Sequence, residues 1–203
     1  VLNRSLGPLL RATADLSLGQ NVFKIQDDGP GAGLKDVALD TLTLDESAAG
    51  TDTSGGTAPS GLATVMANFA DNFTAPNYGT DGAGSVGYAL HLNATSVGSG
   101  LYALDATDKD PAGGLGKGSE ILLTQTSDGV IHGKVGTTEY FTISVNTDST
   151  SADFGKVTFT QTNNIWHSDA SNPDDTATLT TTTAAALVLT QTVTDADGDH
   201  VST

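Results

Sequence analysis

Apolar and polar residues alternate with a period of two along much of this 203-residue chain. This alternation is typical of strands that bury one face of a sheet and leave the other face to solvent. The longest alternating segments are Val86–Leu92, Phe141–Val145, Val157–Phe159 and Leu187–Val193, and shorter candidates cover residues 22–25, 37–44, 121–124 and 130–135. Turns rich in glycine, aspartate and asparagine separate them. We therefore predict an all-β chain of about ten strands, folded as an antiparallel β-sandwich.

One segment has helical spacing instead. The apolar residues that recur there at intervals of three or four are Leu62, Val65, Met66, Phe69 and Phe73. Ser60 precedes them as a candidate N-cap, which predicts one short amphipathic helix packed on the sandwich.

Length and composition limit the class of protein. We expect one sandwich domain over residues 21–203, with residues 1–20 forming the end of a preceding module or an N-terminal strand. The sequence has no cysteine and no apolar run long enough to cross a bilayer. It has 24 acidic and 8 basic residues, and its formal net charge is −16. Such a surface repels nucleic acid and anionic membranes, so neither is an expected partner.

Acidic turns are the candidate chemistry. Residues 195–199 (DADGD) place three aspartates on alternate positions with a glycine among them. Calcium prefers several carboxylate and carbonyl oxygens in a flexible shell, and glycine allows a short loop to curl around an ion. The alternative interpretation is a turn that only ends a strand. The candidate calcium ligands are Asp27, Asp28, Asp45, Glu46, Asp81, Asp105, Asp108, Asp110, Asp174, Asp175, Asp195, Asp197 and Asp199.

Motifs for catalysis are weak. Residues 82–87 (GAGSVG) match the glycine pattern of dinucleotide-binding loops, but an alternating strand follows where that fold requires a helix. The four histidines lack the spacing of a zinc site, and no Gly-x-Ser-x-Gly elbow is present. Acidic residues are so numerous that no particular pair indicates glycoside hydrolysis. We expect no enzyme activity and no catalytic residues.

Several motifs in order resemble a known repeat. They are residues 23–30 (FKIQDDGP), 42–47 (LTLDES), 80–90 (TDGAGSVGYAL), 140–145 (YFTISV), 172–175 (NPDD) and 193–199 (VTDADGD). Over residues 20–203 the chain is similar to the large repeated domain of giant type I-secreted bacterial adhesins of the repeats-in-toxin (RTX) class. The resemblance implies a Ca²⁺-stabilised β-sandwich, secreted and displayed on the bacterial cell surface beside neighbouring modules of the same adhesin. Most such modules are spacers, and some related ones capture the ends of peptides with the help of calcium.

The sequence therefore carries two main hypotheses. In the first, the module binds a protein or peptide on a neighbouring or host cell, and the glycine-rich segment 105–118, read as an expanded loop, takes part in binding. The candidate ligand-binding residues are Asn77, Tyr78, Asp81, Asp108, Asp110, Trp166 and His167. In the second, the module is a structural extender that calcium stiffens at its joints. An enzyme acting on surface polymers is a more remote third alternative.

Overall fold

The computed structural model describes residues 24–44, 46, 64–109, 115–169, 171–172 and 175–203. Nine strands and one 3₁₀ helix lie within these ranges. The elements are β1 Thr64–Ala67, the 3₁₀ helix Phe69–Asn72, β2 Ala83–Leu92, β3 Val97–Lys109, β4 Leu115–Gln125, β5 Ile131–Val135, β6 Thr138–Val145, β7 Val157–Gln161, β8 Leu187–Asp195 and β9 His200–Ser202. The predicted all-β class is confirmed.

The strands form two antiparallel sheets. The larger sheet has the order β1-β7-β6-β5-β4-β3, and the smaller sheet has the order β2-β8-β9. Most of the larger sheet is a meander, in which β3 to β7 pair in chain order. In the smaller sheet β2 pairs with β8 along its whole length, from Ala83 opposite Asp195 to Leu92 opposite Leu187.

The core lies between the two sheets and is built by the predicted alternation. Its most deeply buried apolar side chains come from alternate positions of β4, β5, β6 and β8: Ile121, Leu123, Ile131, Phe141 and Val193. Leu90 of β2 packs in one cluster with Ile121, Leu123, Ile131 and Phe141. The Phe141 ring stacks on Phe159, with centroids 4.9 Å apart. Fully burying a side chain of this size contributes roughly 1.5 to 3 kcal/mol.

A glutamine joins the two sheets where backbone pairing stops. The Gln125 side chain accepts a hydrogen bond from the Leu92 N–H at 2.9 Å and donates one to the Leu90 carbonyl at 2.7 Å. The amide of Gln125 therefore acts as a piece of strand backbone for β2. Because both its donor and its acceptor are used, this polar group is half-buried without a desolvation penalty.

Three local predictions were wrong. Ser60 and Leu62 lie outside the described residues, and the rest of the segment with helical spacing forms β1 and a 3₁₀ helix, in which Val65 of β1 pairs with Phe159 of β7. Residues 37–44 form no strand. Val37 and Leu39 alternate with polar residues, but they are 54% and 71% exposed, so they pack against no sheet. Segment 105–118 is largely a continuation of the β3–β4 hairpin, in which Asp105 lies opposite Gly116. Of the candidate strand 22–25, only residues 24 and 25 are described, and they are not in a strand.

No helix in the described ranges is long and apolar enough to cross a membrane.

Candidate metal centre

The turn between β8 and β9 brings three aspartates together. The Asp195 N–H donates to the Asp199 carbonyl at 3.0 Å, and the Gly198 N–H donates to Asp195 Oδ1 at 3.1 Å. Gly198 has a φ of 109°, which glycine adopts without the strain that a side chain would add. This curled turn holds Asp195, Asp197 and Asp199 within a few residues of one another at one end of the smaller sheet.

The start of β2 adds a fourth aspartate. Because β2 begins at Ala83 opposite Asp195, the preceding residues run beside the turn. The Ala196 N–H donates to the Gly82 carbonyl at 3.1 Å and fixes the two loops together. Asp81 is thereby carried to the same end of the sheet.

A segment far away in sequence adds the fifth aspartate, Asp27. Its neighbour Asp28 fixes the segment in place, because Asp28 Oδ2 accepts hydrogen bonds from the Thr80 N–H at 3.2 Å and the Thr80 hydroxyl at 2.9 Å. Gly79 has a φ of 67°, and a Cβ at that position would lie 2.3 Å from the Asp28 carbonyl oxygen, so only glycine permits this approach. Gly31 and Asn77 then pair as an antiparallel bridge. These contacts place Asp27 beside Asp81.

Three of these aspartates have the spacing of a metal site. Asp27, Asp81 and Asp197 each offer a carboxylate oxygen, and the three oxygens all lie within 4.8 Å of one another. No other group of three or more histidine or acidic ligands with this spacing occurs in the described ranges. The three residues are exposed and border an open cleft of about 580 Å³, which Ile25, Gln26, Asp28 and Thr80 also line.

Crowding changes the proton affinity of the cluster. Contact with the Asp27 carboxyl raises the pKa of Asp81 and that of Asp199, and contact with Asp195 raises the pKa of Asp197. The pKa of Asp27 is lowered, because it accepts hydrogen bonds from Asp199 and Asp81. Like charges at this distance favour binding of a cation, either protons or a metal ion.

Comparison with known families gives one match. A family model described as Domain of unknown function (DUF5801) matches residues 41–203. The chain belongs to the DUF5801 family. Neither the curated proteins nor the solved structures gave a significant match. The DUF5801 region contains Asp81 and the β8–β9 turn, whereas Asp27 precedes it. The acidic cluster therefore joins the DUF5801 domain to the segment in front of it.

Within the DUF5801 domain, Glu46 has a different environment from the cluster. Its Oε1 accepts hydrogen bonds from Gln161 Nε2 and from the Ile165 N–H at 3.0 Å, and its Oε2 accepts one from Asn164 Nδ2 at 3.1 Å. His167 Nε2 lies 3.8 Å from Oε2. Burial opposes ionisation of Glu46, but the nearby His167 ring and the hydrogen bonds from these three groups outweigh burial and lower its pKa. Glu46 was predicted as a calcium ligand, but the structure places it as an anchor for the 161–167 segment.

Two further predicted ligands cap their own turns. Asp105 Oδ1 accepts hydrogen bonds from the Thr107 hydroxyl at 2.7 Å and its N–H at 2.8 Å, which lower the pKa of Asp105. Asp175 Oδ2 accepts one from the Asp169 N–H at 2.7 Å, which lowers the pKa of Asp175. Asp108 lies against Gly116 across the hairpin. The predicted ligands Asp45, Asp110 and Asp174 lie outside the described residues.

The predicted ligand-binding residues divide into two places. Asn77, Tyr78 and Asp81 lie in the loop that leads into the cleft, and Asn77 Oδ1 accepts the Gly79 N–H at 3.1 Å. Asp108 lies on β3, and Trp166 and His167 follow β7. In the part of the chain that the structure describes, no hydrogen bond, ion pair or ring contact joins the two places.

Around Trp166 the structure shows partners that sequence reasoning missed. Lys117 Nζ lies 3.5 Å from the centroid of the Tyr102 ring and 5.2 Å from that of Trp166. The two rings meet edge to face, with centroids 6.5 Å apart. Lys117 and Tyr102 lie on the hairpin strands β4 and β3, and interpreting residues 105–118 as a loop hid their proximity.

Proposed function

We propose that this chain is a Ca²⁺-binding module of a bacterial cell-surface adhesin, and that its calcium-fixed loops bind a protein or peptide ligand on another cell. The observation that carries the proposal is the set of three carboxylate oxygens from Asp27, Asp81 and Asp197, which lie within 4.8 Å of one another. The resemblance of the sequence to RTX adhesin repeats supports secretion, display on the cell surface and a role in adhesion.

The donor set favours calcium over other metals. The cluster consists of carboxylates alone, and no histidine belongs to it. Hard oxygen donors suit calcium and magnesium, whereas zinc and copper sites use histidine or cysteine. Magnesium demands a small octahedral shell, while calcium accepts an irregular one at longer distances. Loops that meet from three parts of the chain fit the more flexible ion.

Bound calcium would fasten the segment that contains Asp27. This segment buries little apolar surface, since Ile25 is 100% exposed and Leu34 is 66% exposed. Its described attachments are hydrogen bonds, among them the two to Asp28 and that of the Gly31 N–H to the Asn77 carbonyl, at 2.8 Å. A cation shared with Asp81 would convert repulsion between the segment and the sheet into attraction.

The same ion offers a place for a ligand. Calcium takes six to eight oxygens, and three monodentate carboxylates leave room for others. A carboxylate of a protein or peptide ligand entering the exposed cleft would complete the shell. Asn77 and Tyr78 shortly precede Thr80, which lines the cleft. Binding of this kind depends on calcium and is abolished by chelation.

Thermal unfolding with calcium added and then chelated tests the metal site. We expect the midpoint to rise with calcium, because a ligand that binds only the native state stabilises it, and to return with EDTA. Asp27→Asn should blunt the response. Asp36→Asn removes the same charge from the same segment, and among the described residues Asp36 is exposed and has no hydrogen bond or ion pair. This control should respond like the wild type. Identical midpoints with and without calcium would refute the site.

A structural extender is the second candidate function, and one observation favours it. Asp27 precedes the DUF5801 region, whereas Asp81 and Asp197 lie within it, so a shared ion would stiffen the joint between two parts of a longer array. Arrays of peptides and surface proteins, probed with and without EDTA, distinguish the two functions. Calcium-dependent capture supports the adhesive module, and a calcium-stabilised protein that captures nothing leaves the extender.

A further inference from the structure

Asp195 differs from the other members of the acidic cluster. It is 2% exposed, and its Oδ2 atom is buried without a hydrogen-bond partner. Its Oδ1 atom accepts the Gly198 N–H at 3.1 Å. A buried carboxylate oxygen without a donor or a cation is strongly unfavourable, so its retention points to a partner that is not a protein atom.

The Asp195 carboxylate is directed into the cluster. It contacts the carboxyl of Asp197, and its charge acts on Asp81 and Asp199. However, Asp195 does not belong to the set of oxygens that lie within 4.8 Å of one another, which comes from Asp27, Asp81 and Asp197. An ion centred among those three oxygens would leave Asp195 Oδ2 without a direct partner.

The charge of the cluster also indicates more than one bound cation. Five carboxylates converge here, namely Asp27, Asp81, Asp195, Asp197 and Asp199. One divalent cation would neutralise fewer than half of their charges when all are ionised. Among the described residues, no lysine forms an ion pair with any of the five aspartates, and Lys134 and Lys156 pair with Glu139 and Asp153 instead.

We propose that the cluster holds two Ca²⁺ ions, with the Asp197 carboxylate bridging them. Asp27, Asp81 and Asp197 bind the first ion, and Asp199, which contacts Asp27, stands beside it. Asp195 Oδ2 and the second oxygen of Asp197 bind the second ion, and water or backbone oxygens complete both shells. This inference rests on the proposed calcium site and adds a second position to it.

Counting the bound ions tests the proposal. Native mass spectrometry and calorimetric titration of the wild type should give two calcium ions per chain. Asp195→Asn, which keeps the size of the side chain but removes its charge, should retain one. Asp36→Asn should retain two. A wild type that binds one ion overturns the second position and leaves the first, whereas a wild type that binds none overturns the proposed calcium site itself. Two ions in Asp195→Asn would also overturn the assignment of Asp195.

A measurement on the wild type does not depend on the folding of the variant. Terbium and neodymium replace calcium at oxygen sites, and bridged metal ions lie about 4 Å apart. In protein loaded with a mixture of the two, terbium luminescence should be strongly quenched by energy transfer to its neighbour. Terbium lifetimes that do not change with the neodymium fraction would contradict a pair of adjacent ions.

Discussion

Glu46 and the acidic cluster contain the same chemical group in opposite surroundings. The oxygens of Glu46 face donors from Gln161, Asn164 and Ile165, with His167 close by, and its pKa is lowered. The carboxylates of the cluster face one another, and contact with Asp27 raises the pKa of Asp81. The comparison teaches that acidic residues alone do not indicate a metal site. The proposed calcium site lies where carboxylates face one another and the protein supplies few donors.

The largest expected effect comes from removing the satisfied carboxylate. Glu46→Ala removes the acceptor of the Ile165 N–H and one hydrogen bond each from Gln161 and Asn164. Leaving a buried donor unpaired costs about 1 to 3 kcal/mol. The loss in free energy of unfolding should be the same with calcium and with EDTA. Urea denaturation in both conditions measures it. A loss seen only with calcium would mean that Glu46 belongs to the metal site after all.

A smaller effect, but one that changes sign, is expected at Asp81. With EDTA, Asp81→Asn relieves repulsion from Asp27 and should raise the unfolding midpoint. With calcium the same change removes a ligand and should lower the midpoint relative to the wild type. Differential scanning calorimetry in the two buffers makes the comparison. A variant that is destabilised equally in both would break the contrast with Glu46.

The next effect in size is a difference in hydrogen exchange between the segment that contains Asp27 and the segment that Glu46 holds. Hydrogen exchange of peptides that cover residues 24–35 should slow when calcium binds, because the ion fastens Asp27 to the sheet. Peptides that cover residues 161–167 should exchange at the same rate in both conditions, since Glu46 holds them without metal. Calcium protection of both segments alike would indicate a general change in stability instead of a local tether.

The smallest effect is a dependence on pH around Glu46. The nearby Glu46 carboxylate raises the pKa of His167 above its ordinary value of 6.5, against the opposing effect of burial, and Asp175 adds to the rise. This contribution to stability is complete below pH 6.5 and is lost as the pH rises through the raised pKa. The pKa of Glu46 lies below its ordinary value of 4.5, so its contribution is lost as the pH falls through the lowered value. The pair should therefore stabilise most between about pH 4.5 and 6.5.

Comparing the wild type with His167→Gln in EDTA measures that dependence. The difference in free energy of unfolding should be below about 1 kcal/mol, because the pair is partly exposed, and it should be largest inside the window. A difference that grows above pH 7 would contradict the ion pair.

The sequence predicted most of the fold because local pattern and tertiary burial agree there. Phe141 and Ile143 alternate in the sequence and are buried in β6. Where pattern and burial disagree, the prediction was wrong. Val37 and Leu39 alternate with polar residues, but their side chains are exposed and pack against no sheet. The helix was wrong for a related reason, since Val65 fits helical spacing and equally fits pairing with β7.

The candidate site was only partly predictable. The DADGD turn was recognisable because its ligands are adjacent in sequence, and Asp27 and Asp81 were named as ligands. Their meeting depends on loops that pairing of β2 with β8 brings together, and no local pattern specifies that contact. The donors around Glu46 were not predictable, because they lie more than a hundred residues further along the chain.

A crystal structure grown in millimolar Ca²⁺, with anomalous differences collected to locate the ion, is the most direct test of the central claim. The account predicts an anomalous peak at about 2.3 to 2.6 Å from carboxylate oxygens of Asp27, Asp81 and Asp197. Only water among those oxygens, with the aspartates protonated or turned apart, would contradict it.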